Sequence, residues 1–134
     1  MENNKKKVLV FDDDANILEL LKSGLEVLGY SVAAFESART AEKILDGFKP
    51  DVILMDVSMP DGDGISLCRN LKLSPDTADI PVIMLTAFTD DKTFHDAMLF
   101  GANGFLTKPF DILEVKKKIE ECIAKANLKK ENKK

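Results

Sequence analysis

Apolar and polar positions contrast most sharply at residues 51–64, where Val52, Ile53, Leu54 and Met55 run without alternation into Asp56. A run with no alternation has both faces covered, which is the pattern of an interior strand in a parallel sheet. Pro60, Gly62 and Gly64 follow, and they stop the strand and force a sharp turn before any helix can begin. Asp56 is thereby predicted at the carboxyl edge of a sheet, where open α/β folds place their ligands.

The same pattern recurs along the chain. Residues 8–11 are apolar and end abruptly in Asp12, Asp13 and Asp14. Ile17, Leu18, Leu21, Leu25 and Leu28 then recur at helical spacing, and Gly29 ends that helix. Residues 30–34 read as a weaker strand nearer the sheet edge. Ser37 is placed to cap a helix running to about Phe48, with Ala38, Ala41, Ile44 and Leu45 inward. Ile65, Leu67, Cys68 and Leu71 predict a third helix, closed by Ser74 before Pro75. Residues 81–85 form another all-apolar strand, which ends in Thr86 and Ala87. Asp90 and Asp91 open a helix that Gly101 closes, and residues 104–107 form the last strand, ending in Lys108 and Pro109. From Asp111 a final helix carries Val115, Ile119, Ile123 and Ala126 on one face, with fraying expected beyond Leu128.

Five strands therefore alternate with five helices in the 134 residues, which predicts an α/β fold with a doubly wound parallel sheet and right-handed crossovers. Parallel strands share one direction, so their polar ends must lie along one rim. Those ends are Asp12 and Asp13, Asp56, Thr86 and Lys108.

Length and composition add boundaries. The chain reads as one domain over residues 1–128 with a basic tail or linker stub at 129–134. Apolar content of 45% and charged content of 31% are those of an ordinary globular protein. No stretch approaches the roughly 18 apolar residues of a membrane span, and no secretory signal follows the N-terminus, so a cytoplasmic, non-membrane protein is expected. Net charge is −4; residues 125–134 hold five Lys and one Glu, a local +4 that leaves −8 on residues 1–124. An acidic body argues against direct nucleic-acid binding by the domain. Cys68 and Cys122 lack metal-type spacing and read as reduced thiols on helices.

Carboxylates crowded at one sheet edge repel each other unless a cation shares the site. A hard divalent ion suits them: Mg²⁺ above all, with Mn²⁺ as a substitute, because it binds a few carboxylates and still accepts a phosphate oxygen. Lys108 adds a point charge and Thr86 a hydroxyl donor. Such a set suits phosphoryl transfer onto Asp56, giving an aspartyl phosphate.

With those residues in view, the chain resembles the receiver domain of a two-component response regulator over residues 6–126. The resemblance rests on the acidic pair after the first strand, the stretch Asp56-x-x-Met59-Pro60-x-x-x-Gly64, Thr86-Ala87, and Lys108-Pro109-Phe110. It implies a flavodoxin-like sheet of order 2-1-3-4-5. It implies that Asp56 is the phosphoacceptor, with Asp13 a direct metal ligand, Asp12 a ligand through water, and the Ser58 backbone carbonyl a further ligand. Thr86 and Phe105 match the family's switch pair, and Lys108 its phosphoryl-contacting lysine, with the Lys108–Pro109 bond cis. Ser58 and Phe88 match positions that modulate loss of the phosphoryl group. Phe88 offers no donor or acceptor to orient a water, so slow loss is expected.

The resemblance further implies a histidine kinase or histidine phosphotransfer protein as donor. The output would be a downstream effector protein or a fused output domain, with a phosphorylation-dependent dimer as one route to it. The output surface is expected on residues 90–100, the last strand and the last helix. The chain would be no enzyme beyond catalysing its own phosphorylation and dephosphorylation. Asp14 is read as the cap of the first helix, His95 as structural, and Asp61 and Asp63 as turn residues rather than a calcium loop.

Two rivals come from other classes. Residues 10–14 also satisfy the hydrophobic-D-x-D opening of haloacid-dehalogenase-like phosphatases, with Asp12 as nucleophile and Asp14 as acid/base. No Gly-Asp follows Lys108, however, and Asp56 would be left without a role. A receiver-like scaffold that is never phosphorylated would be expected to lack the acidic pair or the lysine, and this sequence keeps both.

Overall fold

In the computed structural model the residues described are 5–39, 41–59, 62–87 and 101–132. The elements are β1 (Lys7–Phe11), α1 (Ala15–Val27), β2 (Ser31–Phe35), α2 (Ala41–Gly47), β3 (Val52–Asp56), β4 (Ser58–Met59), β5 (Gly62–Asp63), α3 (Gly64–Leu73), β6 (Val82–Thr86), β7 (Gly104–Thr107) and α4 (Ile112–Asn132). Five strands pair in parallel in the order β2-β1-β3-β6-β7, which is 2-1-3-4-5 when the two short strands are left out.

The unalternated apolar runs are where they were expected. All five residues of β3 and all five of β6 are buried. Side chains along them leave alternately for the two faces. Val8, Val10, Val52, Leu54, Ile83 and Leu85 join α1 and α4 in one core, which includes Leu21, Leu25, Val115 and Ile119. Leu9, Phe11, Ile53, Met55, Val82 and Met84 join Ala41, Leu45, Cys68 and Leu71 of α2 and α3 in the other. β2 lies at the edge and is mostly half-buried, in keeping with its weaker pattern.

Local chemistry sets the helix ends. Asp14 caps α1 by accepting from the Asn16 N–H at 2.9 Å, and Gly29 takes the left-handed conformation, φ 102°, that lets the chain leave the helix. Cys68 and Cys122 are free and buried. The Lys108–Pro109 bond is cis.

Four features differ from the sequence reading or extend it. The turn after Asp56 contains a small antiparallel hairpin, β4 with β5, in which Ser58 pairs with Asp63. The α2 helix begins at Ala41; Ser37 instead closes a turn by accepting from the Arg39 N–H at 3.0 Å. The final helix continues to Asn132 rather than fraying beyond Leu128, because the Lys-rich sequence there still favours helix and carries cations at its C-terminal end. Four α-helices are seen among the described residues, and the helix expected at 90–100 lies outside them, as do Phe88, His95 and Asp61.

The hairpin also fixes how closely α3 approaches β3. Gly64 opens α3, its N–H donates to the Val57 carbonyl at 3.0 Å, and a Cβ at Gly64 would collide with the Asp56 carbonyl oxygen. That neighbour is backbone at the end of an interior strand and cannot swing aside. Gly64→Ala is therefore expected to destabilise the fold by about 1–3 kcal/mol through overpacking. Urea unfolding checks this, and an unchanged midpoint would show that α3 has slack there.

Candidate functional site

The sheet delivers its polar residues to one rim. Asp12 directly follows β1 and is wholly buried; its N–H continues the ladder by donating to the Phe35 carbonyl at 3.1 Å. Asp56 ends β3 and is buried beneath the turn. Asp13 is exposed beside them, and ligand atoms of Asp12, Asp13 and Asp56 all lie within 4.8 Å of one another. Thr86 ends β6 and is also buried. Lys108 follows β7, and its N–H donates to the Thr86 carbonyl at 2.7 Å, which carries its side chain back over the strand ends.

The Lys108 ammonium lies 2.9 Å from Asp12 Oδ2 and 3.7 Å from Asp56 Oδ2. Burial alone would lower the pKa of Lys108. The short-range pull of the Asp12 carboxylate, with the charges of Asp56 and Asp14 behind it, outweighs burial and raises it. The Asp12–Lys108 contact is short, but the ammonium lies off the direction of a well-formed hydrogen bond, so Oδ2 is buried with an ionic neighbour and no aligned donor. The other oxygen, Oδ1, accepts from the Asp14 N–H at 2.9 Å.

Among the described residues, three carboxylates converge beside one ammonium at the rim. Together with the unaligned Asp12 oxygen and an all-oxygen donor set, that fits a hard divalent cation of the Mg²⁺ kind. The geometry does not suit the phosphatase reading, because the Asp14 carboxylate is spent on capping α1.

Strand alternation also brings together Thr86 and Phe105, the two residues the resemblance pairs. Met84 is in register with Phe105, and Thr86 lies two residues beyond Met84, so Thr86 and Phe105 share a sheet face on neighbouring strands. Phe105 is half-buried against the α2–α3 side of the core. Ser58 lies two residues past Asp56 at the start of the hairpin, and Phe88 is outside the described residues. The ion pair between Lys108 and Asp12 was not foreseen. No local pattern could reveal it, since it joins strand ends 96 positions apart, 108 − 12 in the sequence.

The comparisons with known proteins agree with this geometry. A family model described as the response regulator receiver domain matches residues 8–120. The phosphate regulon transcriptional regulatory protein PhoB of Pseudomonas aeruginosa is 38% identical over 110 residues, which cover 82% of this chain and 48% of that protein. The signal receiver domain of a signal transduction histidine kinase from Syntrophus aciditrophicus superposes with a TM-score of 0.81 at 34% identity, over 89% of this chain and 90% of that one. The beryllofluoride-activated NtrC4 receiver domain dimer gives a TM-score of 0.82 at 33% identity, over 90% and 98%. The chain spans about half the length of the curated relatives it matches. With the match of profile, sequence and fold all falling on a sheet whose rim carries Asp12, Asp13, Asp56, Thr86 and Lys108, the chain belongs to the receiver domains of two-component response regulators.

Proposed function

We propose that Asp56 is the phosphoacceptor of this receiver, taking a phosphoryl group from a phosphohistidine on a histidine kinase or a histidine phosphotransfer protein. The observation that carries this is the rim itself, where Asp12, Asp13 and Asp56 converge and Lys108 reaches both Asp12 and Asp56. An Asp56 carboxylate oxygen attacks phosphorus as the P–N bond to the donor imidazole breaks. The electron pair leaves with the imidazole, which then takes up a proton. Asp12, Asp13, Asp56 and the Ser58 backbone carbonyl would hold Mg²⁺, or Mn²⁺ in its place. Bound there, the ion would neutralise charge developing on the phosphoryl oxygens.

The chain's own residues do the rest. The buried strand end holds Asp56 in place, and the side-chain-free Gly64 lets α3 pack close to its carbonyl, so the nucleophile is oriented before the donor arrives. Lys108 is free to exchange part of its hold on the carboxylates for a phosphoryl oxygen as negative charge builds. The Thr86 hydroxyl then moves toward the phosphoryl group, and Phe105, on the same sheet face, turns into the space released. This biases a two-state surface made by residues 90–100, β7 and α4. The surface would act on a downstream effector or a fused output domain, or pair with a second copy when phosphorylated. Support for output through a longer protein comes from relatives named as transcriptional regulators that are about twice this length, and support for pairing comes from the dimer of the NtrC4 receiver.

Incubation with acetyl phosphate and Mg²⁺ is expected to add one phosphoryl mass, lost in Asp56→Ala and absent in EDTA. Mass that survives either change would reject the assignment. Lys108→Met should leave buried Asp12 without its partner and cost about 3 kcal/mol in the metal-free protein. Urea titrations with and without Mg²⁺ should show part of that loss recovered by the ion. Finally, Phe88→Glu and Ser58→Asn should speed decay of phosphorylated protein by supplying a group that orients water. Decay no faster than wild type in both would refute water exclusion as the cause of a long lifetime.

A further inference from the structure

The opposite end of the sheet carries a groove of about 410 Å³ between α2, α3 and the connection leading into β6. Its floor is apolar and includes Leu45, Leu67, Leu71 and Ile80. Its rim is acidic. Glu42 and Asp46 stand one helical turn apart on α2, and Asp76 faces them from the connection, with Lys49 the single cation of the lining among the described residues. None of these three carboxylates has an ion-pair partner among the described residues.

The wall that carries Asp76 is braced although it belongs to no helix or strand. Thr77 Oγ1 donates to the Leu71 carbonyl at 2.6 Å, and the Lys72 ammonium donates to the Ile80 carbonyl at 2.7 Å and the Ala78 carbonyl at 3.2 Å. The Thr77 and Ala78 N–H groups both donate to the Ser74 carbonyl, at 3.1 and 2.8 Å. A groove with a fixed wall loses little freedom when it is filled.

We propose that this groove docks a cationic amphipathic segment of a partner protein, its large apolar side chain seated on the leucine floor and its Lys or Arg residues set against Glu42, Asp46 and Asp76. Charge complementarity selects this occupant, because three carboxylates without an ion-pair partner among the described residues, set around an apolar floor, disfavour an acidic or wholly apolar segment. Location gives the docking its character. Pro50 precedes β3 and Ile80 precedes β6, so the groove lies at the amino ends of strands whose carboxyl ends hold Asp56 and Thr86. A segment bound there leaves the acidic rim open, and the partner stays attached whether or not Asp56 is modified.

The test is an amide-shift titration of the isotopically labelled chain. The probe is a short synthetic helix with Leu on one face and Lys on the other, compared with a counterpart carrying Glu for each Lys. The expected result is saturable shifts concentrated at residues 42–50 and 67–80 with the Lys peptide only. They should persist in Asp56→Asn, which separates this docking from the phosphoacceptor reading. Glu42→Lys together with Asp46→Lys, both exposed positions, should weaken binding about tenfold. Shifts centred on Asp12 and Asp13, equal response to the Glu peptide, or unchanged affinity in the double reversal would overturn the proposal. Self-association in sedimentation without peptide, abolished by the same reversal, would overturn it too, by making a second copy the occupant.

Discussion

Like charges held close together at the end of a buried sheet are what the rest of the structure has to support. Asp12 is wholly buried and Asp56 nearly so, yet the rim holds a third carboxylate, Asp13, and one ammonium to offset them. Left to relax, such groups would move apart. They are held together because they follow strands locked on both sides. β1 lies between β2 and β3, and β3 lies between β1 and β6, with apolar layers above and below. Stabilisation gained along the strands maintains the charge crowding at their ends.

That arrangement explains why the lysine matters structurally as well as chemically. Lys108 reaches Asp12 at 2.9 Å and Asp56 at 3.7 Å, so the cation lies nearer the more deeply buried of the two carboxylates. A carboxylate fixed at a strand end beside an ammonium shared with a second carboxylate has the placement that the proposed phosphoryl acceptor needs. Asp14, adjacent in sequence, has no share in this, because its carboxylate is committed to the first turn of α1.

Much of this was legible in the sequence, for a physical reason. A parallel strand buried on both faces writes an unbroken apolar run, and the first polar residue after it must lie at the rim. Asp12, Asp56 and Thr86 were therefore placed by the boundary of the run alone, and Lys108 by the end of a shorter strand. Asp14 was legible as a cap because capping is local. The sheet order and the pairing of Thr86 with Phe105 on one face needed the family resemblance, since periodicity says nothing about which strands are neighbours. The β4–β5 hairpin was missed because two-residue strands carry no periodicity. Gly64 was read as a turn residue, whereas its lack of a side chain is what admits α3 against the Asp56 carbonyl. Contacts of that kind depend on where two distant backbones meet, and no window of sequence contains them.

The two ends of the sheet are built on opposite principles, and parallel topology makes this workable. At the carboxyl end, carboxylates from two strand ends share one lysine among the described residues. At the amino end, Lys72, Thr77 and Ser74 tie an irregular connection to the end of α3, and the backbone carbonyls of Leu71, Ala78 and Ile80 find donors within it. Gly101 lies against the Lys72 stem, so the entry to β7 is braced by the same side chain. A shift of one side chain at the rim can therefore be resisted below and expressed sideways, across the face that Thr86 shares with Phe105. Were both ends equally loose, charge added at the rim would dissipate as general loosening of the strands; with a fixed base, the phosphoryl group proposed for Asp56 would instead be expressed as movement of one surface.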